Sequence, residues 1–429
     1  MKRTMHTARI LAKSSRGHFQ SDTSARTVAN HDNRMAPSVF TVTSSDVRPP
    51  RRIMNAFYDS LKPFIIVMRA MGVCPLCVNN KAKVVFSWVS LAMLYSVCLY
   101  LLLCFAVWFT NENRMQAIRR ANGRFEDSVD AYMLFVYLVP LAYLPFTHWR
   151  EASRAANYMN MWIHFEDRYL QVTGSSLLIP LKCQCLTTVV LTVGLSHTSI
   201  LASYFFTATS NNTVPEVFLY SYLTTFSNLT GFFWYFVCAA LRCAAIRLKE
   251  SLFKNLENSP TQATVLSDYR MLWLELSHLA TQTGFAFCYT YGLYLTHLFF
   301  MLALSTYATL SDIIVGTFGN NILVTTCVFV SGFMIFAMCE GADDVLLKIH
   351  VAFQKKLLRY TADARQKDIC NEVNTFLQTI VAEPPVITLG GYVRINRQLL
   401  VGFGSTLVTY LIVLLQLKFT VAGPSQRSG

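Results

Sequence analysis

One apolar segment near the C-terminus, Leu407–Gln416, decides how this chain folds; it reads Leu-Val-Thr-Tyr-Leu-Ile-Val-Leu-Leu-Gln. Thr409 and Gln416 are seven residues apart, so on a helix they share one face with Val413. A glutamine in hydrocarbon is costly unless it finds a partner or faces water. The face therefore lines a pore or makes hydrogen bonds between helices of one subunit, and spacing alone favours neither.

The composition is that of a polytopic membrane protein. The chain has 429 residues, of which 53% are hydrophobic and only 14% are charged, whereas soluble domains carry about 25% charged residues. The net charge of +13 is spread over termini and loops without a recognition motif, so we expect no nucleic-acid partner. Seven apolar segments approach the roughly 20 residues that a membrane crossing needs. These predicted spans are residues 85–109, 131–148, 184–209, 217–241, 284–309, 321–339 and 398–419.

The distribution of Lys and Arg predicts the orientation of these spans. Most basic residues fall in 1–84, 149–183, 242–283 and 340–397, which places the N-terminus in the cytoplasm and the C-terminus outside. A seven-helix G-protein-coupled receptor would have the opposite orientation. A transporter is the other alternative of a different class, but no internal repeat of the kind common in transporters is present.

The predicted fold class is an all-α membrane protein with seven transmembrane helices, a cytoplasmic N-terminus, an extracellular C-terminus and long cytoplasmic helical extensions. Residues 1–55 are polar and predicted to be a disordered cytoplasmic segment, although their Arg- and Ser-rich composition also fits a mitochondrial transit peptide. Residues 56–397 hold helices S1–S6 with a ligand pocket and cytoplasmic anchor helices. The pore helix S7 covers 398–420, and 421–429 form a short extracellular tail.

Two inner segments carry apolar residues at spacings of three and four, which predicts helices near 250–283 and 343–381. We expect their apolar faces to make most of the contact between subunits, so that polar substitution of Leu346 and Phe353 yields monomers. Pro384-Pro385 should end the last inner helix, and the glycines that follow should turn the chain toward the seventh span. The carboxylates at 340, 343 and 344 are expected to be solvated or paired with inner arginines.

Ionisable and aromatic residues inside the spans are the candidates for ligand binding. His197 and His297 mark a functional site or are neutral side chains bonded to a neighbouring helix. The candidate tyrosines line a pocket or belong to an aromatic belt at the membrane surface; they are Tyr204, Tyr220, Tyr222 and Tyr294.

Other motifs carry less chemistry. Asn211 begins a glycosylation sequon in a predicted outer loop, whereas the sequon at Asn228 lies inside a span and should stay unmodified. Cys74 and Cys77 have the spacing of half a zinc site but lack a second pair, so a packed turn is the alternative. Because no phosphate-binding loop, paired metal-ligand histidines or nucleophile motif occurs, we expect neither an enzyme nor a cofactor or metal.

The chain resembles the insect gustatory receptors over essentially its whole length. The resemblance rests on Thr409-Tyr410 followed by apolar residues and Gln416, and on the segment Leu61–Pro75 before the first span. The sequence departs from the family pattern at Leu417, where the family has Phe.

This resemblance implies a ligand-gated, non-selective cation channel for taste or related chemosensory detection in the plasma membrane of sensory neurons. It implies a homo- or heterotetramer with related subunits, whose seventh helices surround one pore for cations and whose inner helices anchor the assembly among membrane lipids. Gln416 would lie near the outer gate with Val413 and Thr409 below it, and Tyr410 would pack the pore helix against its neighbours. The small-molecule ligand would be carbon dioxide, from the branch that the C-terminal string resembles, or a bitter or sugar compound.

Overall fold

The computed structural model describes residues 55–79, 83–120, 125–206, 214–258, 263–315, 322–363 and 367–422, and this part of the chain is mainly helical. Its elements are α1 (Ala56–Ala70), β1 (Leu76–Val78), β2 (Val84–Phe86), α2 (Leu91–Arg120), α3 (Phe125–Thr173), α4 (Lys182–Phe206), α5 (Val214–Asn258), α6 (Ala263–Ala286), α7 (Cys288–Val315), α8 (Ile322–Leu346), a π-helical segment (Leu347–Val351), α9 (Ala352–Asp363), α10 (Lys367–Ala382), β3 (Thr388–Leu389), β4 (Val393–Arg394) and α11 (Arg397–Ala422). The predicted N-terminal segment up to residue 54, the sequon at Asn211 and the tail beyond Ala422 lie outside the described residues.

Helix α5 lies at the centre of the bundle, where it packs against α1, α2, α3, α4, α6 and α8. Small side chains let the neighbouring helices come close, and Ala240 and Ala244 are fully buried. Trp234 is also fully buried, and its indole Nε1 donates a hydrogen bond to the backbone oxygen of Met338 in α8 (3.3 Å). The central position of α5 explains why its sequence is apolar around most of its circumference rather than on one face.

Helix α3 holds the beginning of α1 through one buried glutamate. The two carboxylate oxygens of Glu166 accept hydrogen bonds from the backbone N–H groups of Ala56 and Phe57 at 2.8 and 2.9 Å. These donors are unsatisfied within their own helix, and a carboxylate at a helix N-terminus also interacts favourably with the helix dipole. Burial nevertheless raises the pKa of Glu166 to about 7, because desolvation outweighs the two hydrogen bonds that lower it.

A second glutamate of α3 holds the beginning of α7 in the same way. Glu151 is almost completely buried, and its carboxylate accepts hydrogen bonds from the backbone N–H groups of Tyr289 and Thr290 at 2.6 and 3.1 Å. The guanidinium of Arg150 lies over the Tyr289 ring at 4.2 Å from its centroid. Through these contacts α3 fixes where α7 enters the bundle.

Five of the described helices are long and apolar enough to cross a membrane. The candidate segments are Leu91–Trp108, Val217–Leu256, Cys288–Ile314, Val324–Tyr360 and Arg397–Gln416. They correspond to the predicted first, fourth, fifth, sixth and seventh spans. The predicted spans at 131–148 and 184–209 fall in α3 and α4, are not among these five, and remain predictions together with the orientation of the termini.

The structure confirms helices in the two segments near 250–283 and 343–381, and their apolar faces pack within the chain itself. The first segment holds the end of α5 and most of α6, and the second holds the end of α8, the π-helical segment, α9 and α10. Helix α10 packs on both α6 and α9. Phe353 is fully buried and Leu346 is 8% exposed in the single chain. The expectation that these two residues mediate contact between subunits was therefore wrong, because a helical period shows that a face is buried but not what covers it.

A short hairpin sets the start of α11. Helix α10 ends at Ala382, just before the two prolines, and β3 pairs with β4 in the antiparallel sense. Gly390, Gly391 and Tyr392 connect the two strands, and the two glycines have φ of 58° and 82°, the left-handed region that favours glycine, which confirms the predicted turn. In α6, a Cβ at Gly284 would overlap the carbonyl oxygen of Thr388, so the hairpin backbone lies directly on the helix.

Candidate functional site: the bundle cavity and the C-terminal helix

The described helices line a cavity of about 840 Å³, which we call the bundle cavity. It is partly open at the surface of the bundle, where the lining residues Leu195 and Phe329 are exposed. Its walls come from α4, α5, α7 and α8, with one residue, Pro140, from α3. Hydroxyl groups, one amide and one imidazole are spread over an otherwise apolar wall, and its described lining residues include no Asp, Glu, Lys or Arg. Such a wall suits a neutral molecule that is mostly apolar and offers few hydrogen-bonding groups. The polar lining residues are Thr188, Thr192, Ser196, Thr198, Thr224, Ser227, Asn228, His297, Thr326 and Ser331.

Two lining residues have the chemistry to orient a ligand. His297 is 7% exposed and lies in the wall of the cavity, with its ring centroid 6.4 Å from that of Tyr143. The hydroxyl of Thr224 is buried and has no hydrogen-bond partner among the described residues. A buried hydroxyl without a partner is costly, and a polar group of a ligand would remove that cost.

The other predicted ligand residues on α5 and α7 lie beside the bundle cavity rather than in its wall. The Tyr294 hydroxyl donates a hydrogen bond to the backbone oxygen of Ser227 (2.8 Å), behind the lining. The Tyr222 hydroxyl donates to the backbone oxygen of Met71 (2.6 Å), just after α1. Tyr220 is buried in a small cluster of apolar side chains with Ile200 and Val217. Ligand binding by these tyrosines stays a prediction.

The remaining candidates are on α4. His197 is exposed, and its ring Nδ1 lies 2.8 Å from the backbone oxygen of Val193 in its own helix. It is not among the residues that line the bundle cavity. Tyr204 lies in the last turn of α4, and its side chain is outside the described part of the structure. Of the five ligand-binding candidates whose side chains the structure describes, His297 alone lies in the cavity wall.

Sequence reasoning missed the polar residues of α4, α5 and α8. Asn228 was considered only as a sequon inside a span, yet it lines the bundle cavity. An amide inside an apolar span is itself a signal of a functional site and could have identified it. The hydroxyl residues gave no comparable signal, because Ser and Thr in a span can bond to their own backbone, as Thr225 does with Ser221 (2.7 Å).

Helix α11 contacts its own chain mainly through α7 and α8. Leu407, Leu411 and Leu414 are half-buried on the side toward these helices. The predicted pore residues, Thr409, Val413 and Gln416, are exposed on the single chain, and Thr409 Oγ1 donates to the backbone oxygen of Ser405 (3.0 Å). Tyr410 is also exposed, at 57%.

A group of charges joins the first residue of α11 to α8. The Nε and Nη2 atoms of Arg397 lie 2.8 and 2.6 Å from the two carboxylate oxygens of Glu340, and Nε is 3.4 Å from Oδ2 of Asp343. The next carboxylate, Asp344, pairs instead with Arg242 of α5 (3.0 Å). The expected pairing with arginines is thus present for all three acids, and the C-terminal end of α8 is connected to two different helices.

Several candidate spans beside a mostly apolar cavity define a class, the multi-pass helical membrane proteins with a cavity between their helices. The chain matches the 7tm chemosensory receptor family over residues 61–421. It is 33% identical over 364 residues to gustatory and odorant receptor 24 of Anopheles gambiae, covering 85% of this chain and 79% of that relative. It is 30% identical over 383 residues to gustatory and odorant receptor 22 of the same mosquito, covering 87% and 81% of the two chains.

The fold is also similar to that of the insect olfactory receptor OR5 from Machilis hrabei, with a TM-score of 0.54 and 14% identity over 83% of this chain and 97% of that one. The same receptor in complex with eugenol gives a TM-score of 0.51. This chain therefore belongs to the 7tm chemosensory receptor family, among the insect gustatory and odorant receptors. It is a chemosensory receptor of the membrane and not an enzyme.

Proposed function

We propose that this chain is a subunit of a ligand-gated, non-selective cation channel in the plasma membrane of sensory neurons. One observation carries the proposal: α11 turns the face with Thr409, Val413 and Gln416 away from its own chain. A face of this kind must be covered by lipid or by other subunits, and the resemblance of Thr409–Gln416 to the C-terminal signature of the gustatory receptors favours other subunits. Four copies of α11, from identical or related subunits, would surround a pore with this face inside.

Thiol accessibility tests the pore. Gln416→Cys should let a charged thiol reagent, added from outside, reduce the cation current, because the side chain would face water in the pore. Leu414→Cys is the matched control, since Leu414 lies on the half-buried side toward α7 and α8. If the reagent reduced the current of Leu414→Cys but not that of Gln416→Cys, the opposite face of α11 would face the pore. That result would overturn the proposed pore lining.

The first ligand that we propose is carbon dioxide. The support is the resemblance of Thr409–Gln416, together with the Leu61-Lys62-Pro63 segment, to the carbon dioxide-sensing branch of the gustatory receptors. Receptors of that branch are expected to act as heteromers, so the test expresses this chain alone and with related subunits. A current evoked by carbon dioxide at constant external pH supports the proposal.

The bundle cavity favours a second candidate, a larger neutral ligand. Its volume of about 840 Å³ lies in the range of pockets for drug-sized molecules and far exceeds what a triatomic gas fills. The wall offers too few polar groups relative to its apolar area for a sugar, which needs many hydrogen bonds. Eugenol, bound by a receptor with a similar fold, is a suitable probe.

A substitution that fills the cavity separates the two candidates. Ser331 is 5% exposed and lies in the cavity wall on α8, so Ser331→Leu reduces the volume available to a ligand. We expect this variant to lose responses to a larger ligand and to keep a response to carbon dioxide. Ser331→Ala, which adds no volume, serves as the control and should respond as the unmodified chain does.

A further inference from the structure

Two helices that line the bundle cavity also touch α11. On α7, the ring of Phe299 stacks on that of Phe403 with centroids 5.1 Å apart and planes inclined by 27°. Phe299 directly follows the lining residues His297 and Leu298. On α8, the contact is made by the charges around Arg397. An aromatic contact and an ion pair are therefore among the connections between the cavity helices and α11.

The ionic link lies on the same helix as a wall of the cavity. Helix α8 contributes lining residues from Thr326 to Met334, and Glu340 follows about 9 Å further along the helix axis. Because an α-helix is stiff over this length, a shift of α8 at the cavity also shifts its carboxylates. The π-helical segment Leu347–Val351 begins directly after the last residue of α8. Segments of this type often occur at functional sites.

The geometry at Arg397 is specific although the pair is half-exposed. Both carboxylate oxygens of Glu340 face the guanidinium, an arrangement that a lysine cannot reproduce. An arginine in the first turn of a helix is unfavourable for the helix dipole, and Asn396 already caps α11 by accepting from the N–H of Leu399 (3.0 Å). The side chains are 53% and 36% exposed, and exposed pairs add little to stability.

We propose that the ion pair of Arg397 with Glu340 and Asp343 couples the bundle cavity to α11, so that Arg397 and Glu340 are positioning residues for gating. This inference rests on the proposed function, in which α11 lines the pore. Movement of α8 against a ligand pulls or releases the first turn of α11 through the paired charges. The neighbouring pair of Asp344 and Arg242 ends on α5 and does not take part.

A double-mutant cycle on the full chain, with related subunits where they are needed for current, tests the coupling. The variants are Glu340→Gln, Arg397→Gln and the combination, and the probe is carbon dioxide or eugenol, whichever evokes a current in the unmodified chain. Each single change should lower the maximal evoked current about threefold or more at unchanged surface abundance. The double variant should be no worse than Arg397→Gln, because one shared interaction is lost.

Two controls separate coupling from general damage. Asp344→Asn breaks the neighbouring pair and should leave the evoked current within about twofold of the unmodified chain, as expected for a site outside the coupling path. Arg397→Lys keeps the charge but not the two parallel hydrogen bonds, so its current should lie between those of Arg and Gln.

The possible failures are distinguishable. Additive losses in the double variant, or a loss in Asp344→Asn as large as in Glu340→Gln, overturn the coupling. Reduced surface abundance of the single variants also overturns it, because the pair would then support the fold. Normal currents in every variant overturn the coupling and leave the channel intact, whereas absence of any current in the unmodified chain overturns the proposed function itself.

Discussion

At the scale of single residues, the two histidines of the predicted spans, His197 and His297, have different surroundings. Replacing each with alanine therefore gives a test variant and its matched control. His297→Ala should raise the ligand concentration for a half-maximal response about tenfold, the value for one lost hydrogen bond of roughly 1.5 kcal/mol. His197→Ala should leave it unchanged, because His197 is outside the cavity wall and lies against its own backbone. Dose-response curves at equal surface abundance measure both, and the reverse order would place the ligand elsewhere.

Gln416 gives a second prediction at this scale. Gln416→Ala should change the basal current or the relative permeability of sodium and potassium, since the amide is the polar group at the predicted outer gate. The half-maximal ligand concentration should stay nearly constant, because Gln416 is not among the residues that line the bundle cavity. Leu414→Val, on the opposite side of α11, is the control. Altered ligand sensitivity with normal permeation would assign Gln416 to contact with another helix.

Glu166 predicts a dependence of stability on pH. Burial raises its pKa from an ordinary value of 4.5 to about 7, so the folded state binds this proton more tightly than the unfolded state does. The stability that protonated Glu166 contributes is therefore complete below about pH 4.5 and is lost as the pH rises through about 7. At about 1.4 kcal/mol per pKa unit, the shift from 4.5 to about 7 makes the full loss roughly 3 kcal/mol.

Thermal unfolding of the detergent-solubilised protein between pH 5.5 and 8 measures this loss. The unmodified chain should unfold at lower temperature as the pH rises, and Glu166→Gln should remove most of that slope. Glu275→Gln, at the partly exposed pair with Arg168, should keep it. A slope of the opposite sign would mean that the two backbone hydrogen bonds outweigh desolvation.

At the scale of elements, α9 has one buried face and one exposed face. Substitutions on the buried face test folding of the subunit, and substitutions on the exposed face test its assembly with other subunits. Phe353→Ser should destabilise the subunit by about 3–5 kcal/mol, the range for large core truncations, and abolish surface expression. Leu358 is 54% exposed, so Leu358→Ser should leave the subunit folded. Unfolding temperature and size-exclusion chromatography distinguish the two outcomes. A folded monomer from Phe353→Ser would instead support the expectation that Phe353 lies in the contact between subunits.

The elements also show how far the sequence predicts the structure. Helical periods identified α6, α9 and α10, and Gly390-Gly391 identified the hairpin, because each of these signals is local. The caps made by Glu151 and Glu166 were invisible, since each joins residues more than a hundred positions apart. The cavity wall was mostly missed for the same reason: it combines hydroxyls from helices whose arrangement is set only by tertiary packing.

At the scale of the whole molecule, the distribution of charge predicts the topology. Epitope tags at the two ends should show the N-terminus in the cytoplasm and the C-terminus outside, because Lys and Arg favour the inner segments. Antibody staining of intact and permeabilised cells measures this. An N-terminal tag stained on intact cells would support the orientation of a G-protein-coupled receptor and remove the channel proposal.

The contact between α6 and the hairpin has a genetic consequence. Gly284 carries no side chain, and the backbone of Thr388 occupies the space where one would be. A single-base change that replaces this glycine would displace the hairpin and, with it, the base of α11, while every residue of the cavity and the predicted gate stayed intact. An animal carrying that allele would have the phenotype of a receptor knockout, and a scan of alleles limited to the cavity and the gate would overlook its cause.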